Sequence, residues 1–242
     1  MARTQQILLA GAGHIGNDSF TKILLHMDGA DASTTCTDSN LGGSAHTWTA
    51  AGNAQLDTGI AAKFGTAAGL FDGSGDSFTT PDHADFTLGS GDFTVDFWFN
   101  INTGGNGAAR LMWGQGNSTA NGGFTAFGAM NADNTIYGKV STDGAVAAAT
   151  VTSTSTFTTA GWNHYAFVRT GNVLRLFLNG VQEGGDQAYS GTISNSANTF
   201  GVGSIGEYVG SLAFNGSIDE FRLSVGIARW TTNFTPSTIA YF

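Results

Sequence analysis

Carboxylates are the first place to look for chemistry in this chain, and they are sparse where an enzyme would need them. Three glutamates occur, Glu183, Glu207 and Glu220, widely separated in sequence. Glycoside cleavage takes a carboxylate pair about 5–10 Å apart. Asp72 and Asp76 could approach that, but they flank Gly73-Ser74-Gly75, and aspartates in such turns usually bond their own backbone. The five histidines are His14, His26, His46, His83 and His164. None stands near a Gly-x-Ser-x-Gly elbow, and no two have zinc-ligand spacing on a single element. His164 shares a strand face with Trp162, Ala166 and Val168, so it reads as a packed histidine. These residues predict a protein without catalytic activity.

Binding chemistry is better represented. Asp28-Gly29-Ala30-Asp31 lets two carboxylates and an intervening carbonyl converge on a structural Ca²⁺, with Gly29 giving the bend. Asp219 is a further candidate ligand. It shares strand parity with Phe221 and Leu223, and a carboxylate among apolar neighbours needs N–H donors, a cation or a positive partner. Asp28, Asp31 and Asp219 also read as turn-capping aspartates. Trp48, Trp98, Trp113 and Tyr137 offer faces for sugar stacking or for ordinary sheet packing. Trp98 is the sharpest of these. In Phe93–Ile101 the apolar Phe93, Val95, Phe97, Phe99 and Ile101 share one face, which leaves Thr94, Asp96, Trp98 and Asn100 on the other. An aromatic on an outward face needs a loop, a partner subunit or a ligand over it. As a ligand site it would bind carbohydrate through Trp98, Asp96 and Asn100. Arg110, Arg175 and Arg222 are expected as solvated charges on outward strand faces.

The elements that must position these residues are strands. Glycine is frequent (36) and proline nearly absent (2), and short alternating runs are punctuated by Gly, Asn, Asp and Ser. Predicted strands are Phe20–Met27, His46–Thr49, Ser77–Thr80, Phe93–Ile101, Arg110–Trp113, Phe124–Met130, Thr135–Val140, Trp162–Thr170, Val173–Leu178, Thr199–Val202 and Ser217–Leu223. Gly171-Asn172 joins two of them, and Asn179-Gly180 predicts a type I′ turn into another. About a dozen strands exceed what one open sheet holds, so two packed sheets are expected. Val225–Trp230 is the one predicted helical turn. Residues 1–19 are Gly-rich and precede the first clear strand, so they read as a docking arm ahead of a domain over 20–242.

Composition bounds the function. At 242 residues with 41% hydrophobic side chains the chain has ample core, and its charged fraction of 11% is well below the ~25% usual in globular proteins. A net charge of −9 argues against nucleic-acid binding. No apolar run approaches the ~18 residues of a membrane helix, so no membrane insertion is expected. Met1–Ile15 makes a poor signal peptide. The one cysteine, Cys36, excludes an intrachain disulfide and reads as a small, partly buried side chain.

Several segments together resemble a known family. They are Leu24–Asp31, Lys63-Phe64-Gly65, Gly69–Gly73, Gly91–Trp98, Trp162–Arg169, Leu176–Gly180, Gly216–Leu223, and Ala228-Arg229-Trp230 before Phe234-Thr235-Pro236. In order and spacing they resemble the laminin G-like domains found in bacteriophage virion and tail proteins. The resemblance implies an all-β, two-sheet antiparallel jelly-roll sandwich of the concanavalin A/laminin G-like type. It also implies a non-enzymatic virion protein, either a tail fibre or tip module or a capsid decoration. Such a protein would be assembled in the host cytoplasm into an extracellular particle. Residues 1–19 would dock to other virion proteins, a homo-oligomer is expected, and the domain would display a glycan-binding surface toward host cells. A free bacterial carbohydrate-binding lectin is the alternative. A glycoside hydrolase or lyase is disfavoured, because glucanases of this fold carry Glu-x-Asp-x-x-Glu on one strand and nothing here matches it.

Overall fold

Alternating apolar positions on successive short strands build two antiparallel sheets. The computed structural model describes residues 16–102, 107–116, 124–144, 147–206 and 212–242. Within them fifteen strands occur. They are β1 (Thr21–Leu25), β2 (Thr49–Ala51), β3 (Gln55–Asp57), β4 (Ala68–Asp72), β5 (Ser77–Thr80), β6 (Phe93–Ile101), β7 (Arg110–Gly116) and β8 (Phe124–Met130). There follow β9 (Ile136–Val140), β10 (Ala149–Thr152), β11 (Asn163–Thr170), β12 (Val173–Leu178), β13 (Val181–Ala188), β14 (Phe200–Val202) and β15 (Asn215–Val225). His14, Glu207 and the arm's residues 1–15 lie outside the described residues.

The first sheet has the order β13-β12-β11-β6-β15-β4-β3, with β1 also on β15. The second has the order β10-β9-β8-β7-β14-β5-β2. One core lies between them. Phe93, Val95, Phe97, Phe99 and Ile101 of β6 enter it as their alternation predicts, and Trp113, Phe200 and Val202 meet them from the second sheet. Phe97 stacks on Tyr165 at 4.8 Å and on Phe221 at 5.5 Å. Both predicted hairpins form. Asn179 and Gly180 have φ of 53° and 79°, the left-handed pair that a type I′ turn requires.

β15 is irregular in a useful way. Its first half pairs with β4 and its second half with β1, and between them Asp219–Glu220 breaks the ladder to β6, with Glu220 at φ 51°. The gap is filled by the loop 61–66, whose Lys63 and Phe64 amides donate to Asp219 Oδ2 at 2.9 and 3.1 Å.

The structure corrects three expectations. No helix forms over Val225–Trp230; the one helical turn among the described residues is Ala84–Phe86. His46 lies ahead of the strand predicted to contain it, which begins at Thr49. Arg222 is not a solvated charge: it is 1% exposed and sealed into the first sheet's outer face. The segment after β15 forms a third layer over that face. Thr94 Oγ1 donates to Ile227 O and accepts from Arg229 N, and Trp230 and Phe234 pack on Ala166, Val168 and Phe177. The last residues of the predicted arm are held there too, through Gly16 O, which accepts from Arg222 Nη1 at 2.6 Å, and Asp18, paired with Arg229 at 2.9 Å.

Candidate functional site

The face carrying Trp98, Asp96 and Asn100 is covered by this third layer. Asp96 is fully buried, and its two oxygens take a bidentate pair of hydrogen bonds from Arg222 at 2.9 and 3.0 Å. Tyr241 Oη donates to the same carboxylate at 2.8 Å, and His164 Nε2 lies 3.5 Å away. Burial alone would raise the Asp96 pKa, but the Arg222 charge and the His164 and Arg222 bonds hold it well below the carboxylate range. Trp98 is 8% exposed, with Lys63 Nζ 3.7 Å over its ring, Phe64 edge-on, and His164 at 5.0 Å. Of the three covers considered for Trp98, the one present is the chain's own loop. With Asp96 fully committed to Arg222 and Tyr241, only the half-buried Asn100 is left of the predicted constellation to meet a sugar. Period-2 alternation separates the two faces of a strand but does not say what lies on the second.

The three carboxylates proposed for calcium do not converge. Asp28 Oδ1 accepts from the Thr66 amide at 2.6 Å and from the Ala67 amide at 3.3 Å. Asp31 Oδ1 accepts from the Thr58 amide at 3.1 Å. Asp219 Oδ2 is held by the 61–66 loop, while its buried Oδ1 has no hydrogen-bond partner. Burial pushes its pKa up to about 7. Asp28 and Asp219 thus brace neighbouring amides of one loop, and Asp31 braces Thr58. Other carboxylates are spent the same way. Asp76 takes the Asn53 and Asp72 amides, and Glu183 takes those of Thr154 and Ser155.

The outward face of the second sheet is different. On β9, Ile136, Gly138 and Val140 are buried while Tyr137 and Lys139 are half-buried. Gly138 faces the core because a Cβ there would meet the Phe167 ring at 2.6 Å. Cross-strand register then builds a grid, with Ala129, Tyr137 and Thr152 in one row and Phe127, Lys139 and Thr150 in the next. Lys139 Nζ sits 4.9 Å from the Tyr137 ring centre and 5.5 Å from that of Phe127. Two adjoining shallow depressions of about 190 and 260 Å³ share Tyr137 and Lys139; Leu111, Phe127 and Leu212 line one, Asn131, Thr150 and Thr152 the other. An amphipathic ring, an ammonium and hydroxyl groups on a rigid sheet suit a polyhydroxylated ligand. Of the four aromatics considered for stacking, Trp48, Trp98 and Trp113 are buried and only Tyr137 keeps a face toward solvent. Lys139, Thr150 and Thr152 were missed; Gly138 interrupts the apolar alternation of β9, and β10 has only four residues of it.

A family model described as the concanavalin A-like lectin/glucanases superfamily, of laminin G type, matches residues 72–227. The chain belongs to this superfamily. Its two-sheet jelly roll is that of a lectin-type domain, as expected from the sequence. Similar solved structures have the same fold. The binding domain of Paraclostridial mosquitocidal protein 1 has a TM-score of 0.61 at 14% identity, with 86% of this chain and 49% of that chain covered. Domain 4 of AbnA, an extracellular arabinanase from Geobacillus stearothermophilus solved with arabinotriose, has a TM-score of 0.56 at 16% identity, covering 86% and 93%. The botulinum neurotoxin DC binding domain, solved in complex with SialylT, has a TM-score of 0.58 at 13% identity, covering 85% and 48%. The lectin-type chain thus spans about half the length of the toxin binding domains it resembles. No curated protein sequence matches it.

Proposed function

We propose that this domain binds a cell-surface glycan, without catalysis, on the outward face of its second sheet. The observation that carries the reading is the Tyr137–Lys139 platform, an accessible aromatic flanked by an ammonium and by the hydroxyls of Thr150 and Thr152. Its neighbours on this fold, solved with arabinotriose and with SialylT, lend support by analogy of fold. The non-catalytic part is supported by Asp76 and Glu183, described carboxylates that are spent on backbone amides. An array of neutral and sialylated oligosaccharides, followed by calorimetry on the hits, tests the reading. Tyr137→Ala and Lys139→Ala should each weaken binding about tenfold or more and leave the melting temperature nearly unchanged. Full binding by the double variant would move the site elsewhere.

The setting we propose is a phage particle, with the domain as a tail fibre or tip module or a capsid decoration and residues 1–19, ahead of the part packed on the domain from Gly16, docking to other virion proteins. What supports it is the resemblance carried by Leu24–Asp31 and by Gly216–Leu223 with Ala228–Pro236. Mass spectrometry of purified particles decides between this and a free bacterial lectin.

A further inference from the structure

Away from the platform, His46, His83 and Asp85 bring three ligand atoms within 4.8 Å of one another. They come from two loops that the β2–β5 pairing holds side by side, since Thr49 is opposite Thr79. His46 precedes β2, while His83 and Asp85 follow β5 at the single helical turn. Asp85 Oδ2 lies 3.4 Å from His46 Nε2 and 3.1 Å from His83 Nδ1. Tetrahedral coordination with bonds of ~2.0–2.1 Å has edges of ~3.3–3.4 Å, close to these two separations from Asp85.

Hydrogen-bond accounting points the same way. His83 Nδ1 accepts from the Asp85 amide at 3.2 Å, a bond that an ion at this nitrogen would replace. His46 Nε2 is buried on a side chain only 5% exposed and has no hydrogen-bond partner. A buried ring nitrogen with no hydrogen-bond partner, facing a carboxylate oxygen 3.4 Å away, is costly unless a cation joins them. The groups behind them are set. Asp85 Oδ2 takes the Ser44 amide at 2.7 Å, and a Cβ at Gly43 would fall 2.7 Å from that oxygen. The His46 ring bonds the Lys22 backbone and packs 4.7 Å from Phe86. Such outer contacts fix ring orientation at metal sites. His83 is 41% exposed, so a fourth position opens to solvent.

We propose that His46, His83 and Asp85 bind a divalent transition metal of the Zn²⁺ type, with water or an outside ligand completing the shell. Two imidazoles and one carboxylate favour such ions over Ca²⁺ or Mg²⁺. The site clamps the loop before β2 to the loop after β5.

The test uses tag-free full-length protein stripped with chelator and titrated with Zn²⁺, Co²⁺ or Ca²⁺ by calorimetry, with the Co²⁺ absorption spectrum as a second readout. One equivalent of Zn²⁺ should bind and raise the melting temperature, Co²⁺ should give a tetrahedral-type visible spectrum, and Ca²⁺ should do neither. His83→Gln and Asp85→Asn should each weaken Zn²⁺ binding about tenfold or more. Because His46 is buried, His46→Ala is compared only if its metal-free melting curve stays cooperative; His83→Gln, at an exposed side chain, carries the test regardless. Absence of Zn²⁺ binding, or binding that survives both His83→Gln and Asp85→Asn, overturns the proposal.

Discussion

At the scale of single residues, burial decides what a side chain is for. Trp98 has its faces covered by Lys63, Phe64 and His164, so Trp98→Ala should cost about 3–5 kcal/mol in urea unfolding. A cost under about 1 kcal/mol would mean that the ring is solvated. Asp219 gives a pH signature. Its folded pKa of about 7 lies above the ordinary 3.8, so between those values the folded state holds a proton that the unfolded chain has released. Stability from this group is therefore present at acid pH, declines as pH rises toward 7, and stays lower above it. Asp219→Asn should raise stability by roughly 1–3 kcal/mol at pH 8 and by little at pH 4. If millimolar Ca²⁺ raises the wild-type melting temperature and the variant loses that response, Oδ1 is meeting a cation instead. Asp96 runs the opposite way, remaining ionised beside Arg222 far into acid. The sequence made Asp219's need for donors legible through its apolar parity. It could not pair Asp96 with Arg222, 126 residues away, because only sheet topology brings them together.

Among elements, the strands with strong alternation were readable, as was the short β5, while other short strands were displaced or passed over. β6, β8 and β12 have the predicted bounds, and both hairpin turns follow from their Gly and Asn residues. β2 and β3, three residues each, carry too little pattern to place by period alone. The metal trio escaped for a related reason: its ligands span two loops, so no single element shows the spacing. The Asn179–Gly180 turn has a second duty that its sequence does not announce. Phe234 N donates to Gly180 O at 2.9 Å, and a Cβ on Gly180 would come into collision with Phe234 O. With φ at 79° as well, Gly180→Ala should cost about 1–3 kcal/mol by chemical denaturation. A neutral result would mean that the third layer does not rest on this hairpin.

Over the whole molecule, the sandwich has its largest core between the sheets and a smaller one beneath the C-terminal segment. Removing residues 227–242 would strip Tyr241 and Arg229 from the outer face and open Ala166, Val168 and Phe177 to water. Such a variant should lose stability and bind a hydrophobic dye that the full chain ignores; failure to bind the dye would make the third layer ornamental. Two-sheet architecture was legible because strand number alone forces it. The layer outside it was not, since 226–242 has no strand period and its coverage depends on where β15 ends.

The place of β15 also sets a timetable for synthesis. It lies at the centre of the first sheet, between β6 and the pair β4 and β1, yet it follows the other fourteen described strands in sequence. At about 5–20 residues per second, the 126 residues from Asp96 to Arg222 take roughly 6–25 s to translate. Throughout that interval Phe97 and its neighbours have no partner on one side, and neither β4 nor β1 can join the sheet. Nascent chains stalled before residue 215 should be cut readily by protease, and chains that include residues 215–242 should resist it. The domain thus spends its early life dependent on whatever shields exposed strands near the ribosome.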